Sequence, residues 1–341
     1  MSSVGPFVEL FEQRLQEVTG ARRAVAVSSG TAALQIALRL AGVRQGDEVL
    51  VPSLTFVATA NAVSYLGASP HFVDIEDTTL GVDPEALRNW LAETAEFTSE
   101  GLQNKMTGRI IRALVPMHTF GHPSQIESLC ELADEFDLLV VEDAAESLGS
   151  THKEKHTGTF GLFGAVSFNG NKIVTTGGGG AILTDDEELA NHARHLSTTA
   201  KKPHSWEYVH DEIGYNFRMP NINAALGVAQ LEQLSGFLSS KRALGDKYSA
   251  AFAAIDGVSM VAEPPRSRSN YWLHTLLLNE NAAPYRDEIL EGLNSAGFGA
   301  RPVWHPLHSL AIYETACRAP LPVTEKLGGV LINLPSSASL A

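Results

Sequence analysis

The chain has 341 residues, 44% apolar and 19% charged, which is enough for a large buried core and a second, smaller domain. A formal net charge of −14 without a lysine and arginine stripe argues against nucleic acid or an anionic membrane as partner, and leaves any anionic ligand to local donors. No run of about 18 apolar residues and no basic, apolar leader is read, so a cytoplasmic protein without a membrane span is expected. Cys130 and Cys317 are too isolated for a disulfide framework or a zinc motif.

Phe7, Leu10, Phe11, Leu15 and Val18 recur at helical spacing, so the chain opens on an amphipathic helix. Residues 24–27 read as a short apolar strand ending in Ser28-Ser29-Gly30-Thr31, and 32–40 as a helix stopped at Gly42. A strand, a Gly/Ser/Thr turn and a helix start make an anion cradle. Free N–H groups, the positive end of the helix dipole and the Thr31 hydroxyl all favour a phosphate there. Plain helix capping by Ser29 or Thr31 explains the same residues.

Strands at 48–51, 71–75 and 110–115 then alternate with helices at 57–66, 84–91 and 124–136. Residues 138–142 are nearly all apolar, as a strand buried on both faces is. The alternation predicts a parallel, doubly wound sheet with its ligand at the carboxyl ends of the strands. Asp143 stands at such an end, in Val-Glu-Asp-Ala-Ala-Glu-Ser, where a charge needs a partner. A cationic ring nitrogen would serve; capping a following turn is the plainer alternative.

Residues 166–168 close a short strand, Asn169-Gly170-Asn171 forms a tight turn, and Lys172 is thereby held out of the core, as a reactive amine or as an ordinary surface lysine. Glycines 177–180 let backbone approach a ligand or a neighbouring chain before a strand at 181–184. A helix at 186–197 leads into 201–210, which lacks periodicity and reads as a long functional loop. Residues 222–238 begin a helix that continues beyond Arg242. After about 257 the elements shrink: a strand at 271–278, a helix at 283–296, and a turn and strand at 297–304. Two domains are expected, 1–240 and 241–341. His305-Pro306-Leu307-His308 is spaced like a metal pair, but proline breaks helical presentation and no acidic third ligand sits nearby, while His118 and His122 read as loop packing. No metal is expected.

Taken together, Ser29-Gly30-Thr31-Ala32-Ala33-Leu34, Glu142-Asp143-Ala144-Ala145-Glu146-Ser147, Ser167-Phe168-Asn169-Gly170-Asn171-Lys172 and Gly214-Tyr215-Asn216-Phe217-Arg218-Met219 resemble, in order and spacing, the four signatures of the DegT/StrS sugar aminotransferases. The resemblance covers nearly the whole chain. The LegC-like branch is similar also through His210-Asp211-Glu212, Arg301-Pro302-Val303-Trp304 and Ile332-Asn333-Leu334-Pro335-Ser336-Ser337. It implies an α/β fold of the type I, aspartate aminotransferase-like class: a large doubly wound domain with a mainly parallel sheet, plus a small C-terminal α+β domain.

The resemblance also implies roles. Lys172 would join pyridoxal 5'-phosphate as a Schiff base and shuttle the proton, and Asp143 would pair with the pyridinium nitrogen. Gly30, Thr31 and Ser167 would hold the phosphate, and Phe56 would lie against the ring face. Glu146 would stand near the ring hydroxyl, where relatives often carry glutamine. Asn216 would reach the phosphate from the other subunit of a homodimer with shared sites. L-glutamate would donate the amino group to a nucleotide-linked 4-keto-6-deoxy hexose, N-acetylated, on the way to a bacterial surface sugar. Lys201, Lys202, Arg218 and Arg301 are the cations for its diphosphate, with His308 on the substrate side. Three rivals share the fold: sugar dehydratases, which carry histidine where Lys172 stands, cyclitol aminotransferases, and non-catalytic regulators. Relatives of this branch carry about 30 further residues before the segment matching Ser2-Ser3-Val4-Gly5, enough for one more helix.

Overall fold

The computed structural model describes residues 5–341, so Ser2, Ser3 and Val4, where the additional stretch of the relatives would join, lie outside the described residues. α1 (Phe7–Thr19) buries Phe11 and Leu15 and stops at Gly20, whose φ of 75° suits glycine. After β1 (Arg23–Val27) come α2 (Gly30–Leu40), β2 (Glu48–Pro52), α3 (Val57–Ser64), β3 (Ser69–Val73) and α4 (Pro84–Thr94). A hairpin, β4 (Ala95–Thr98) and β5 (Gly101–Asn104), precedes β6 (Ile111–Leu114), α5 (Ile126–Glu135) and β7 (Leu139–Asp143). A smaller hairpin, β8 (Thr151–His152) and β9 (Lys155–His156), is followed by β10 (Phe163–Ser167), β11 (Gly180–Thr184) and α6 (Glu187–Ser197). The two hairpins carry too few apolar residues to signal themselves in the sequence.

Seven of these strands form one sheet in the order β1-β11-β10-β7-β6-β2-β3. β11 runs antiparallel to both neighbours and the other pairs are parallel, which is the mainly parallel sheet expected. Side-chain alternation makes it a central layer. In β2, Val49 and Val51 join the apolar cluster of α2, α3 and α6, whereas Leu50 joins that of α4 and α5. Val141 and Val140 of β7 divide in the same way.

Beyond the 198–220 loop lie α7 (Asn221–Leu231) and α8 (Leu234–Phe252), two helices where the sequence reads as one. The break at Glu232 and Gln233 separates two packing duties. α7 lies on α1, where a Cβ at Gly227 would come within 2.5 Å of the Phe11 ring. On α8, Tyr248 and Phe252 pack on the apolar cluster of a second sheet. That sheet, all antiparallel, has the order β12 (Val258–Met260), β14 (His274–Leu278), β16 (Leu331–Leu334), β15 (Arg301–Pro302). β13 (Ser267–Arg268) instead extends the β8–β9 hairpin, and α9 (Arg286–Ser295) and α10 (Pro322–Gly328) complete the chain's helices. β14 begins three residues later than read because Asn270 Oδ1 accepts from the Trp272 N–H at 2.8 Å and Tyr271 takes a φ of 49°. Residues 307–321 return to the large sheet: Phe72 bridges Arg318 in parallel, and Leu307, Tyr313 and Leu321 share the core of α2 and α3. Among the described residues no helix is long and apolar enough to cross a membrane.

Candidate active site

The turn from β1 into α2 leaves main-chain N–H groups that can seat an anion. Ser29 Oγ accepts from Ala32 N–H at 3.1 Å and its carbonyl from Ala33 N–H at 3.0 Å, so the N–H groups of Gly30 and Thr31 have no acceptor among the described residues. Glycine is required beside it on steric grounds. A Cβ at Gly30 would sit 2.8 Å from Cβ of Ser167, and one at Gly180 would sit 2.4 Å from the Ser29 carbonyl carbon. The close approach anticipated at glycines 177–180 is therefore made to the Ser29–Gly30 backbone of the same chain. Gly178 has open space around it and faces the cavity.

That cavity, of about 440 Å³, opens at the carboxyl ends of β7 and β10 and beside the start of α2. Lys172 enters it from the Asn169-Gly170-Asn171 turn, with its backbone N–H bonded to the Asn169 carbonyl at 3.0 Å. Its Nζ lies 3.4 Å from Glu146 Oε1 and 3.8 Å from the centroid of the Trp272 ring. Asp143, 3% exposed, accepts from the Thr59 hydroxyl at 2.7 Å and from Ala145 N–H at 3.1 Å. No basic group lies within 4.0 Å of it among the described residues, and burial holds its carboxyl above the usual range despite those two donors. Glu146 accepts from Phe120 N–H at 2.9 Å, and burial, opposed by Lys172, pushes its carboxyl up to about 7. Two strongly desolvated acids thus stand beside one amine.

Of the residues read from the sequence, Gly30, Thr31, Phe56, Asp143, Glu146, Ser167 and Lys172 come together on this cavity. The others stand elsewhere in the chain. Asn216 is exposed and bridges Thr198, and Arg218 bridges Val27. Lys201 covers the Tyr208 ring at 3.8 Å and Lys202 lies 3.8 Å from Asp211. Arg301 is exposed on β15, and His308 Nδ1 lies 2.7 Å from Ser53 Oγ, its pKa lowered by burial and by Arg318.

Several contributors escape sequence reading. Thr59 reaches Asp143 from α3, and nothing in its local sequence announces that role. Trp272 donates its indole N–H to the Asn171 carbonyl at 2.8 Å, locking the turn before Lys172 from a hundred residues away. Trp304 packs between Phe56 and Phe120, with ring centroids 6.3 and 5.0 Å away. Behind Asp143, Glu142 accepts from His118 and from the N–H groups of Gly158, Phe160 and Gly161. Burial raises its pKa, and these donors together bring it below the usual range.

Residues 1–341 match the DegT/DnrJ/EryC1/StrS aminotransferase family. The chain is 37% identical over 341 residues to the GDP-perosamine synthase of Escherichia coli O157:H7, covering 100% of this chain and 88% of that protein. Its fold superposes on a DegT DnrJ EryC1 StrS aminotransferase from Brucella abortus with a TM-score of 0.89 at 30% identity, covering 100% of this chain and 87% of that one. DesI, solved in the presence of its TDP-sugar product, gives 0.87 at 30% identity, covering 100% and 82%.

Proposed function

Because the chain belongs to the DegT/DnrJ/EryC1/StrS aminotransferase family, and its relatives include sugar aminotransferases, we propose that it passes the amino group of L-glutamate to a nucleotide-linked 4-keto-6-deoxy hexose by pyridoxal-phosphate-dependent chemistry. The residues fit the cofactor. The unclaimed N–H groups of Gly30 and Thr31, with Ser167 beside them, suit its phosphate. Asp143, buried with two neutral donors and no cation, suits a protonated ring nitrogen. Phe56 and Glu146 border the space that would take the ring.

When bound, the cofactor draws electrons from the carbon that bears the amine and so acidifies it. The chain's own groups do the rest. Lys172 Nζ would take a proton from that carbon of the donor as base and, in the second half reaction, would deliver a proton to the corresponding carbon of the acceptor as acid. Asp143 holds the proton on the ring nitrogen. Trp272 and Glu146, which border Nζ in this structure, would limit the positions it can take, which shortens the search for a reactive geometry.

The names of two relatives, a GDP-perosamine synthase and an enzyme solved with a TDP-sugar product, favour an acceptor carrying a nucleoside diphosphate. In this reading Lys201, Lys202, Arg218 and Arg301 meet the diphosphate, His308 faces the sugar side, and Asn216 completes the site of the second subunit of a cytoplasmic homodimer. The product is an amino sugar for a bacterial surface polysaccharide. The observation that carries the reading is the convergence of the α2 terminus, Asp143 and Lys172 on one cavity. Incubation with glutamate and GDP-, UDP- or TDP-linked 4-keto-6-deoxy sugars should release 2-oxoglutarate with at least one of them. Release with a free cyclitol ketone and with none of the three would reject it.

A further inference from the structure

The segment after α6 is fastened back to that helix by two imidazoles and two carboxylates. His192 and His195 stand three residues apart on α6 and so share a face, while Asp211 and Glu212 are consecutive on the returning arm of the 198–220 loop. His192 Nε2 lies 2.7 Å from Glu212 Oε1. His195 Nε2 lies 2.6 Å from Asp211 Oδ1 and 3.9 Å from the same Glu212 Oε1. The other oxygen of each carboxylate is braced by a cation: Arg39 Nη2 is 3.4 Å from Glu212 Oε2, and Lys202 Nζ is 3.8 Å from Asp211 Oδ2. Arg39 also donates to the Ile213 carbonyl at 2.6 Å, which holds this arm against α2.

We propose that His192, His195, Asp211 and Glu212 form a binding site for a divalent transition-metal ion of the zinc class, which fastens the 198–220 loop to α6. Imidazole nitrogen and carboxylate oxygen are donors that zinc takes, at about 2.0–2.2 Å, so ligand atoms around a tetrahedral ion lie roughly 3.3–3.6 Å apart. One donor atom from each of His195, Asp211 and Glu212 already lies within 4.8 Å of the others, whereas His192 meets the same Glu212 oxygen from outside that cluster and must swing its imidazole inward to join it. The two shortest contacts must open by about 1 Å, which side chains of 25% to 45% exposure allow without moving the core. Arg39 and Lys202 occupy the oxygens turned away from the imidazoles, and so act as outer braces that orient the ligating atoms. Two imidazoles also separate this set from the all-oxygen shells of calcium and magnesium. The 16-residue separation of His195 and Asp211 hid the constellation from motif reading.

The loop held in this way carries Lys201, Lys202 and Asn216, so the ion would set the order of the segment assigned above to the acceptor. The binding itself is tested independently of that assignment. Holoenzyme stripped of metal is titrated with zinc chloride by calorimetry. Wild type should bind one zinc per chain at this site, and H192Q/H195Q should lose more than about 100-fold in affinity, beyond what loss of an outer partner costs. His192→Gln alone, on a half-exposed helix face, should lose at least about tenfold and serves if the double variant does not fold. His204→Gln, on an exposed loop histidine whose ion-pair partner is Glu207, should bind as wild type does. Absence of zinc binding by wild type, equal binding by the histidine variants, or an equal loss in His204→Gln would each overturn the site.

Discussion

In β7, Glu142 and Asp143 are 0% and 3% exposed and each of their four carboxylate oxygens has a donor, whereas in the 198–220 loop Trp206, Tyr208 and Ile213 stand 77%, 79% and 81% exposed. The same chain thus treats the strand end that lines the cavity and the loop proposed above to meet the acceptor in opposite ways. The strand end spends its burial on fixing two charges, which suits a small ligand that must be held in one pose. The loop offers aromatic and cationic side chains with little beneath them, which suits contact with something larger. The homodimer and nucleotide proposed above would both supply that cover.

The contrast breaks first at Lys172. Lys172→Ala should lower turnover by at least about 10⁴-fold, since nucleophile and proton shuttle go together, while cofactor still binds through its phosphate and ring contacts. Wild-type transamination with a borohydride-reducible protein imine in the variant would remove Lys172 from this role. Asp143→Asn keeps the shape and discards the charge, so kcat should fall about 10²–10³-fold with the fold intact. Activity within about threefold of wild type, a barrier change of only ~0.65 kcal/mol, would show that the ring nitrogen does not depend on this carboxylate.

Glu146 sharpens the contrast through pH. Burial raises its carboxyl from 4.5 to about 7, so between those values the folded chain keeps a proton that the unfolded chain has lost. Stability of the cofactor-free protein therefore falls as pH rises through this window and levels off above it. Glu146→Gln cannot titrate, so its advantage over wild type should grow across the window to about 3 kcal/mol. Urea melts at about pH 5 and about pH 8 measure it, and a difference independent of pH would mean that Glu146 is not the group responsible.

The smallest effect concerns the loop. Asn216→Asp places a carboxylate beside the proposed phosphate of the partner's site and should silence it by like-charge repulsion. Mixed with Lys172→Ala under subunit exchange, half of the dimers are hybrids, each with one site carrying both defects and one carrying neither, so activity should return to about a quarter of wild type. No return after exchange has been verified would place Asn216 in its own chain's site.

What was legible in the sequence divides along the same line. Val140 and Val141, in the apolar run 138–142, announce a strand buried on two faces because both helical layers demand apolar neighbours, and the turn before Lys172 announces itself through asparagine and glycine. Thr59 and Trp272 do not, because each is an ordinary core residue until the fold sets its polar atom against Asp143 or the Asn171 carbonyl. The break between α7 and α8 is also silent: nothing local forbids a continuous helix, and it is the pull of α1 on one half and of the second sheet on the other that divides it. The return of 307–321 to Phe72 is a pairing across more than two hundred positions, which periodicity cannot report.

The contact of Gly180 with Ser29 and of Gly30 with Ser167 has a consequence for how such an enzyme can diversify. The reach from anion seat to amine is set by main chain lying on main chain, so no side-chain substitution can lengthen it by small steps. With the acceptor met by the exposed loop, as proposed above, a descendant can adopt a new sugar there, where residues can change one at a time at little cost to stability. On that proposal, inheritance of the chemistry and drift in the acceptor would fall to separate parts of one chain.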